Sequence, residues 1–263
     1  MRHTVKTAFL SDIHLGSREC RAEDVLAFLD RTDMQELVLV GDIIDLWALK
    51  RGIYWPQSHN DVLRKILSKA RRGTRVVYIP GNHDGLMRGL CENIFGKLEV
   101  HEEYVHTTSR GLKLLVMHGD RLDGVVQVSR WVSWLGGAAY DAVLRLCHYH
   151  NLLRKALRLR HWSLARFLKS RVPNARRHIA RFEYAAAQMA RERGFDGVVC
   201  GHIHHPAITA YEGTLYCNDG DWVEHCTALV ETHAGELELW HAAELQADVP
   251  AVKTDGVRLP RAA

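Results

Sequence analysis

The chain has 263 residues, of which 47% are hydrophobic and 25% charged, and a formal net charge of +4. This composition excludes a disordered chain, and the length can accommodate one α/β domain with an insertion, so we expect one domain. A charge this small does not by itself indicate nucleic acid or a membrane as a partner. The six cysteines include no C-x-x-C pair, so we expect reduced, buried thiols.

The first apolar run, at 5–10, ends at a polar pair and lacks the small-residue cleavage pattern of a signal peptide, so we predict a strand there. No stretch approaches the ~18 uninterrupted apolar residues of a membrane span. We therefore expect a cytoplasmic protein, with peripheral attachment to the inner membrane as an open alternative.

The first half of the chain alternates strand and helix patterns. Strand patterns lie at 5–12, 36–42 and 75–82, and helical periodicity lies between them at 23–31 and 57–72. This alternation is typical of parallel βαβ units, whose ligands gather at the carboxyl ends of the strands.

A change of pattern follows. We predict a short helix near 86–95 and then a hairpin of strands at 98–107 and 112–118, with its turn at Arg110-Gly111. From about 123 to 193 the pattern is wholly helical, which indicates an inserted cap. Its apolar stripe at helical spacing consists of Leu146, Tyr149, Leu153 and Leu157.

Strand patterns resume after the cap and predict an antiparallel meander, with strands at 195–200, 207–211, 214–218, 227–231 and 236–240. The last segment contains Pro250 and Pro260 without periodicity and is expected to be a loose tail. We therefore predict one domain at 1–242 that carries the cap, followed by a tail at 243–263.

Five short polar clusters each follow an apolar run: Asp12-Ile13-His14, Gly41-Asp42, Gly81-Asn82-His83-Asp84, His118-Gly119-Asp120 and Gly201-His202-Ile203-His204. Residues two apart in an extended segment point the same way. Asp12 and His14 can therefore approach one cation together, and so can His202 and His204. Carboxylate, imidazole and amide ligands suit manganese first, with iron or zinc as alternatives. Two dications need shared negative charge between them, and Asp42 is the natural bridge.

In this order, the motifs D-x-H, G-D, G-N-H-D, H-G-D and G-H-x-H resemble those of the calcineurin-like metallophosphoesterases. The resemblance spans residues 12 to 204 and implies a four-layer α/β/β/α sandwich of two mixed sheets with an inserted helical cap. It implies one divalent cation held by Asp12, His14, Asp42 and His204. It implies a second cation held by Asp42, Asn82, His118 and His202.

The resemblance also implies a reaction in which a hydroxide bridging the two cations attacks phosphorus in line. His83 would stand beside the leaving oxygen and donate a proton to it, and Asp84 would orient the His83 ring. We count Asn82, His83 and Asp84 as the catalytic residues. Asp120 is expected to orient His118, or else to be a turn residue.

Within the superfamily, the series SDIHLG, GDIIDLW, GNHD, HGD, a helical insertion and GHIHHP most resembles the bacterial UDP-2,3-diacylglucosamine pyrophosphatases. The resemblance implies release of UMP and 2,3-diacylglucosamine 1-phosphate, as in lipid A biosynthesis, with the cap holding the acyl chains. One residue departs from that family, whose members carry Arg at the position of His83. Two alternatives therefore stay open: a soluble phosphomonoesterase or phosphodiesterase, and a membrane-associated phosphate-binding scaffold that retains metals without turnover.

The stretch 142–182 contains eleven Lys or Arg residues and no Asp or Glu. A basic amphipathic segment of this kind can rest on an anionic membrane or meet substrate phosphates. A solvated helix face is the plainer alternative, and RNA binding is the least favoured. The segment 220–224 is either a loop near the site or an ordinary turn, and no pattern indicates an oligomeric state.

Overall fold

The computed structural model describes residues 2–95, 97–124, 154 and 173–246. The described residues divide into two compact units, one made of residues up to 120 together with 186–246, and the other made of the described residues between 121 and 185. The predicted apolar stripe of the cap, most of the basic stretch at 142–182 and all but the start of the predicted tail lie outside the described residues. The predicted domain and cap boundaries stay predictions.

The described strands, in chain order, are β1 His3–Leu10, β2 Thr32–Val40, β3 Arg75–Ile79, β4 Asn93–Phe95, β5 Leu98–Val100, β6 Tyr104–Thr107, β7 Lys113–Val116, β8 Gly197–Cys200, β9 Ala207–Tyr211, β10 Thr214–Asn218, β11 Thr227–Glu231 and β12 Leu237–His241. The described helices are α1 Ala22–Arg31, α2 Leu46–Arg51, α3 Gln57–Arg71, α4 Pro173–Glu192 and α5 Ala242–Gln246, with short 3₁₀ helices at Gly85–Leu90 and Asp120–Gly124.

Within the described residues the strands form two mixed sheets. The first has the order β12-β11-β1-β2-β3-β5-β4 and the second has the order β6-β7-β8-β10-β9. Strands β1, β2, β3 and β5 run parallel, and so do β7, β8 and β10. The predicted α/β fold with two mixed sheets is confirmed.

Alternation along the strands produces the layers of the core. Side chains of successive strand residues point to opposite faces, so Leu37 and Leu39 of β2 pack in the cluster that contains Phe28 of α1. Val38 and Val40 pack in a second cluster with residues of the other sheet, such as Val116. The first sheet therefore has helices on one face and the second sheet on the other.

The structure corrects the predicted hairpin and meander. The predicted strand at 98–107 is two strands in different sheets, since β5 pairs with β3 and β6 pairs with β7. The meander is wrong because β8 runs parallel to both of its neighbours, while β11 and β12 belong to the first sheet. All four residues of β8 are buried, as is typical of a parallel strand covered on both faces.

Two local predictions also change. The helix expected near 86–95 ends at Leu90, and Asn93–Phe95 is an edge strand. Helix α2 was not predicted from the sequence; it begins where the Asp45 carboxylate accepts a hydrogen bond from the Ala48 amide at 2.7 Å, which stabilises a helix N-terminus. Among the described helices, none combines the length and the apolar character needed to cross a bilayer.

Candidate metal centre

The predicted ligand residues follow the carboxyl ends of strands in both sheets. Asp12 and Asp42 follow β1 and β2 of the first sheet, whereas His118 follows β7 of the second. Backbone hydrogen bonds join these ends, from the Asp12 amide to Gly41 O at 3.0 Å and from the Gly201 amide to His118 O at 3.1 Å. The parallel strands of each sheet therefore bring their terminal loops to one place.

The backbone is strained at the residues predicted to be ligands. Five of them have positive φ angles between 50° and 69°, and these are Asp12, His14, Asp42, His202 and His204. For residues other than glycine this conformation costs on the order of 1–3 kcal/mol each and persists where the surrounding structure imposes it, often at functional sites. The strain indicates that the surrounding structure holds these side chains in defined directions.

The Asp12 carboxylate has one oxygen that accepts hydrogen bonds from the protein and one that accepts none. Oδ2 accepts hydrogen bonds from the Ser11 hydroxyl at 2.6 Å and from the His202 amide at 2.9 Å. Oδ1 is buried and accepts no hydrogen bond, although it lies 3.1 Å from His204 Nε2 and 3.7 Å from His14 Nε2. The His14 Nε2 atom is also buried without a hydrogen bond. Leaving such atoms unsatisfied is costly, and a cation between them would satisfy both.

A second group of donor atoms surrounds His118. Its Nε2 lies 3.3 Å from Asp42 Oδ2 and 3.2 Å from Asn82 Oδ1, and its ring centre is 5.2 Å from that of His202. Asp42 Oδ2 is also 4.0 Å from His14 Nε2. The Asp42 carboxylate therefore lies between the two groups, where a bridging ligand would be.

The charges at this place favour bound cations. Burial lowers the pKa of His118, but the neighbouring Asp42 carboxylate outweighs burial and raises it to about 10. A histidine that holds its proton so strongly reports a negative local potential. Within the described residues, three sets of side chains hold their ligand atoms within 4.8 Å of one another: Asp12, His14 and His204; Asp12, Asp42 and His118; His14, Asp45 and His83. The residues present fit divalent cations, and the assignment of each ligand to a cation stays a prediction.

Two glycines leave the space that these side chains occupy. A Cβ at Gly41 would collide with the His118 ring, and a Cβ at Gly201 would collide with the Ser11 hydroxyl and the Asp12 carboxylate. Glycine is required here because the backbone approaches the donor atoms closely.

His83 lies beside the cluster, with part of its side chain accessible to solvent. Its Nδ1 is 2.9 Å from Asp45 Oδ1, its ring centre is 4.6 Å from that of His14 and 4.2 Å from that of Trp47, and its amide donates to Asp42 Oδ1 at 2.8 Å. The ring is therefore fixed at the edge of the candidate metal centre.

A family model described as calcineurin-like phosphoesterase matches residues 5–206. The chain belongs to this family. It is a metal-dependent hydrolase. Members of the family use divalent metals, and this chain has the candidate donor groups described above to bind them. No curated protein sequence matches the chain.

Solved structures that resemble this phosphoesterase include the following three. YfcE, a phosphoesterase from E. coli, has 14% identity and a TM-score of 0.48, with 96% of this chain and 99% of that chain covered. An archaeal phosphodiesterase has 12% identity and a TM-score of 0.44, with coverage of 89% and 97%. Vps29 of Entamoeba histolytica, complexed with Zn²⁺, has 16% identity and a TM-score of 0.42, with 89% of each chain covered.

The residue that orients His83 in this phosphoesterase is Asp45, so the role expected for Asp84 is wrong. The Asp84 carboxylate is fully buried and accepts hydrogen bonds from the Gly81 amide at 2.6 Å, the Ile43 amide at 2.8 Å and the Tyr78 hydroxyl at 2.5 Å. Asp84 instead ties the loops after β2 and β3 together.

Asp45 was missed in the sequence, although the spacing G-D-x-x-D from Gly41 could have indicated it. Burial raises its pKa, but hydrogen bonds with His14 and His83 outweigh burial and lower the pKa below its usual range. Asp45 is therefore ionised, and its two oxygens contact the two rings at 3.2 and 2.9 Å. The same carboxylate begins α2, so one side chain positions a helix and two imidazoles.

Of the two alternatives for Asp120, the role of orienting His118 is also wrong. Its Oδ2 accepts a hydrogen bond from Arg88 Nη2 at 2.7 Å, whereas the Nδ1 of His118 lies 2.9 Å from the carbonyl oxygen of Val40. A backbone carbonyl of the first sheet therefore orients a ring carried by the second sheet. Such a contact has no local signal in the sequence.

The segment 220–224 lies directly behind Asp12. The amide of Trp222 donates to the Asp12 carbonyl oxygen at 3.0 Å, and the Ser11 hydroxyl is 3.2 Å from the carbonyl oxygen of Gly220. Of the two alternatives for this segment, the structure favours a loop next to the site.

Proposed function

We propose that this phosphoesterase hydrolyses a phosphoanhydride with two divalent cations, manganese being the first choice and iron or zinc the alternatives. The observation that carries the proposal is the pair of buried, unsatisfied donor atoms, Asp12 Oδ1 and His14 Nε2. The proposed ligands are Asp12, His14, Asp42, Asn82, His118, His202 and His204. When bound, the cations supply a water nucleophile at neutral pH and neutralise the charge that develops on phosphate oxygens.

The chain's own contribution to bond cleavage is assigned to His83. Its Nδ1 is held by Asp45 and its Nε2 lies 3.9 Å from Asp42 Oδ2, so the Nε2 edge faces the cluster. As an imidazolium the ring can donate a proton to the leaving oxygen or stabilise the charge there.

The proposed substrate is UDP-2,3-diacylglucosamine, with UMP and 2,3-diacylglucosamine 1-phosphate as products. Beside the order of the motifs, the exposed Trp47 side chain next to the His83 ring supports a substrate with apolar parts. The two ring centres are 4.2 Å apart with the planes tilted by 35°, and Trp47 is 47% exposed. An aromatic side chain left exposed beside the candidate metal centre could contact an apolar part of a substrate.

In this function the protein would lie in the cytoplasm, peripheral to the inner membrane, with the basic stretch at 142–182 against anionic lipid. The eleven Lys or Arg residues of that stretch, with no Asp or Glu, support attachment to an anionic membrane. Washing membranes with high salt should release the protein, because screened charges lose most of their attraction.

The deciding assay compares UDP-2,3-diacylglucosamine in mixed micelles with p-nitrophenyl phosphate and bis-p-nitrophenyl phosphate, each with Mn²⁺. We expect UMP, detected by mass spectrometry, from the first substrate at the highest kcat/KM. Asp42→Ala should reduce every activity by several orders of magnitude, because both cations lose a shared ligand. Failure to release UMP, with normal turnover of a p-nitrophenyl ester, would refute the proposed substrate.

A soluble phosphomonoesterase or phosphodiesterase is the second candidate. His83 favours it, since the UDP-2,3-diacylglucosamine pyrophosphatases that this chain resembles carry Arg at that position. The same assay distinguishes the two, because this candidate predicts high turnover of one p-nitrophenyl ester and none of the nucleotide lipid.

A further inference from the structure

The hydroxyl of Ser11 lies between two carboxylates. Its Oγ is 2.6 Å from Asp12 Oδ2 and 2.6 Å from Asp219 Oδ1, with the Gly220 carbonyl oxygen farther away at 3.2 Å. Asp219 follows β10 and is fully buried. Its backbone is fixed, since its carbonyl oxygen accepts a hydrogen bond from Thr227 Oγ1 at 2.8 Å.

The number of protons in this chain of contacts can be counted. Oxygen atoms 2.6 Å apart need a proton between them, because two lone pairs repel at that distance. Serine supplies one proton, and an ionised carboxylate supplies none. The two contacts of Ser11 therefore require a second proton, carried by either Asp12 or Asp219.

The surroundings place that proton on Asp219. Asp12 Oδ2 accepts the His202 amide, and its Oδ1 faces the ring nitrogens of His14 and His204, all of which favour the ionised carboxylate. Asp219 Oδ2 is buried and has no hydrogen bond, which would be costly for an anion. Burial raises the pKa of Asp219 well above its usual range, and the negative charge of Asp12 raises it further.

We propose that Asp219 is a neutral carboxylic acid that donates a hydrogen bond to Ser11, which in turn donates to Oδ2 of Asp12. This chain fixes the Asp12 carboxylate so that Oδ1, rather than Oδ2, faces the cation position. Asp219 and Ser11 are positioning residues, since neither faces the cation group itself. The inference rests on the proposed function in one respect, the assignment of Asp12 as a cation ligand.

The experiment measures the proton and the cation separately. Infrared difference spectra of wild type against Asp219→Asn, both without metal at pH 7, report the carbonyl stretch of a protonated carboxyl group. Calorimetric titration with Mn²⁺ gives the Kd of wild type and of the Asp219→Asn, Asp219→Leu and Ser11→Ala variants. Ser17→Ala is the matched control, because the buried Ser17 hydroxyl on the same segment has no hydrogen bond.

We expect the protonated-carboxyl band in wild type and its loss in Asp219→Asn. Asn is neutral and keeps an N–H donor, so its Mn²⁺ Kd should stay within about threefold of wild type, as should that of Ser17→Ala. Ser11→Ala and Asp219→Leu should raise the Kd by about 10–100-fold, the usual effect of removing a partner of a ligand. If Asp219→Leu does not fold, Ser11→Ala and the infrared band decide.

Two results would overturn the inference: no protonated-carboxyl band in wild type, or a loss of Mn²⁺ affinity in Asp219→Asn as large as in Ser11→Ala. Failure of the proposed function is distinguishable, because Asp12→Ala would then bind Mn²⁺ normally. Unchanged affinity in Ser11→Ala, with lost affinity in Asp12→Ala, would refute the positioning role and leave the proposed ligand intact.

Discussion

At the scale of single residues, the contact between His83 and Asp45 allows metal binding and catalysis to be tested separately. His83 lies at the edge of the donor groups, and its partner is a carboxylate outside the proposed ligand set. Replacing His83 with Ala should reduce kcat by about 10²–10⁴-fold, the usual contribution of a positioned acid or base. The number of bound Mn²⁺ ions, measured by elemental analysis, should not change. Loss of metal in this variant would make His83 a ligand and contradict its assigned role.

Asp45→Asn tests the same pair from the other side. The variant keeps the size of the side chain but removes the charge that holds the His14 and His83 rings, so kcat should fall by about 10–100-fold. Asp61→Asn, on the surface of α3, is the control and should leave kcat within about twofold. Equal kcat in wild type and Asp45→Asn would show that the orientation of His83 does not limit the reaction.

How far the sequence predicts single residues depends on where their signal lies. Asp12 and Asp42 stand in short motifs after apolar runs, and the pattern is visible without a structure. Asp219 has no such signal, because its partner Ser11 is 208 residues away. Its role is decided by a contact between strand ends, which no local pattern contains.

At the level of elements, His106 of β6 joins the two sheets through buried charges. Its Nδ1 is 3.1 Å from Glu36 of β2 and its Nε2 is 2.7 Å from Glu231 of β11. Burial lowers the pKa of His106, but its bonds with the two carboxylates outweigh burial and raise the pKa above 6.5. Burial raises the pKa of Glu231, but the His106 hydrogen bond and others outweigh it and lower it to about 2.

This cluster predicts a pH-dependent stability. The raised pKa of His106 gives stability that is complete below the unfolded value of 6.5 and is lost as pH rises through the folded value. The lowered pKa of Glu231 gives stability that is present above 4.5 and is lost as pH falls towards 2. His106→Gln should therefore reduce the free energy of unfolding by about 3 kcal/mol near pH 5.5 and by clearly less at pH 9.

Urea denaturation at pH 5.5 and pH 9 measures this difference. His101→Gln is the control, since His101 is partly exposed and lies 3.2 Å from Glu99; its effect should stay below about 1 kcal/mol. A loss of stability in His106→Gln that is the same at both pH values would show that the ring is not charged in the folded protein.

Elements with a local periodic signal are predicted correctly from the sequence, whereas pairings between distant strands are not. Helices α1 and α3 and strand β1 have a clear apolar periodicity, and the sequence predicts them within a few residues. The change of sheet between β5 and β6 has no such signal, because both strands have similar short apolar patterns and differ only in their partners. The pairing of β8 with parallel neighbours likewise depends on segments far away in the chain.

For the whole molecule, the candidate metal centre lies where the loops of both sheets meet. Asp12 and Asp42 come from the first sheet, and His118 and His204 from the second, so bound cations would hold the sheets together as well as take part in the reaction. A ligand that binds only the folded state at 100 times its Kd stabilises it by about 2.7 kcal/mol. For a chain of this length, that is a rise in Tm of about 5–10 °C for each site.

Calorimetry of the metal-free protein with and without saturating Mn²⁺ measures this rise, and Ca²⁺ at the same concentration controls for ionic effects because it prefers sites made of oxygen ligands alone. Asp42→Asn should lose most of the rise, since its shared carboxylate lies within 4.0 Å of donors from both groups. In the metal-free state Asp42→Asn should be less stable than wild type, because the substitution removes the carboxylate that lies 3.3 Å from the buried His118 ring, so the quantity compared is the rise in Tm that Mn²⁺ causes in each protein. A Tm that Mn²⁺ raises equally in both proteins would mean that the cations bind elsewhere, and no rise in wild type would mean that the folded chain does not bind Mn²⁺.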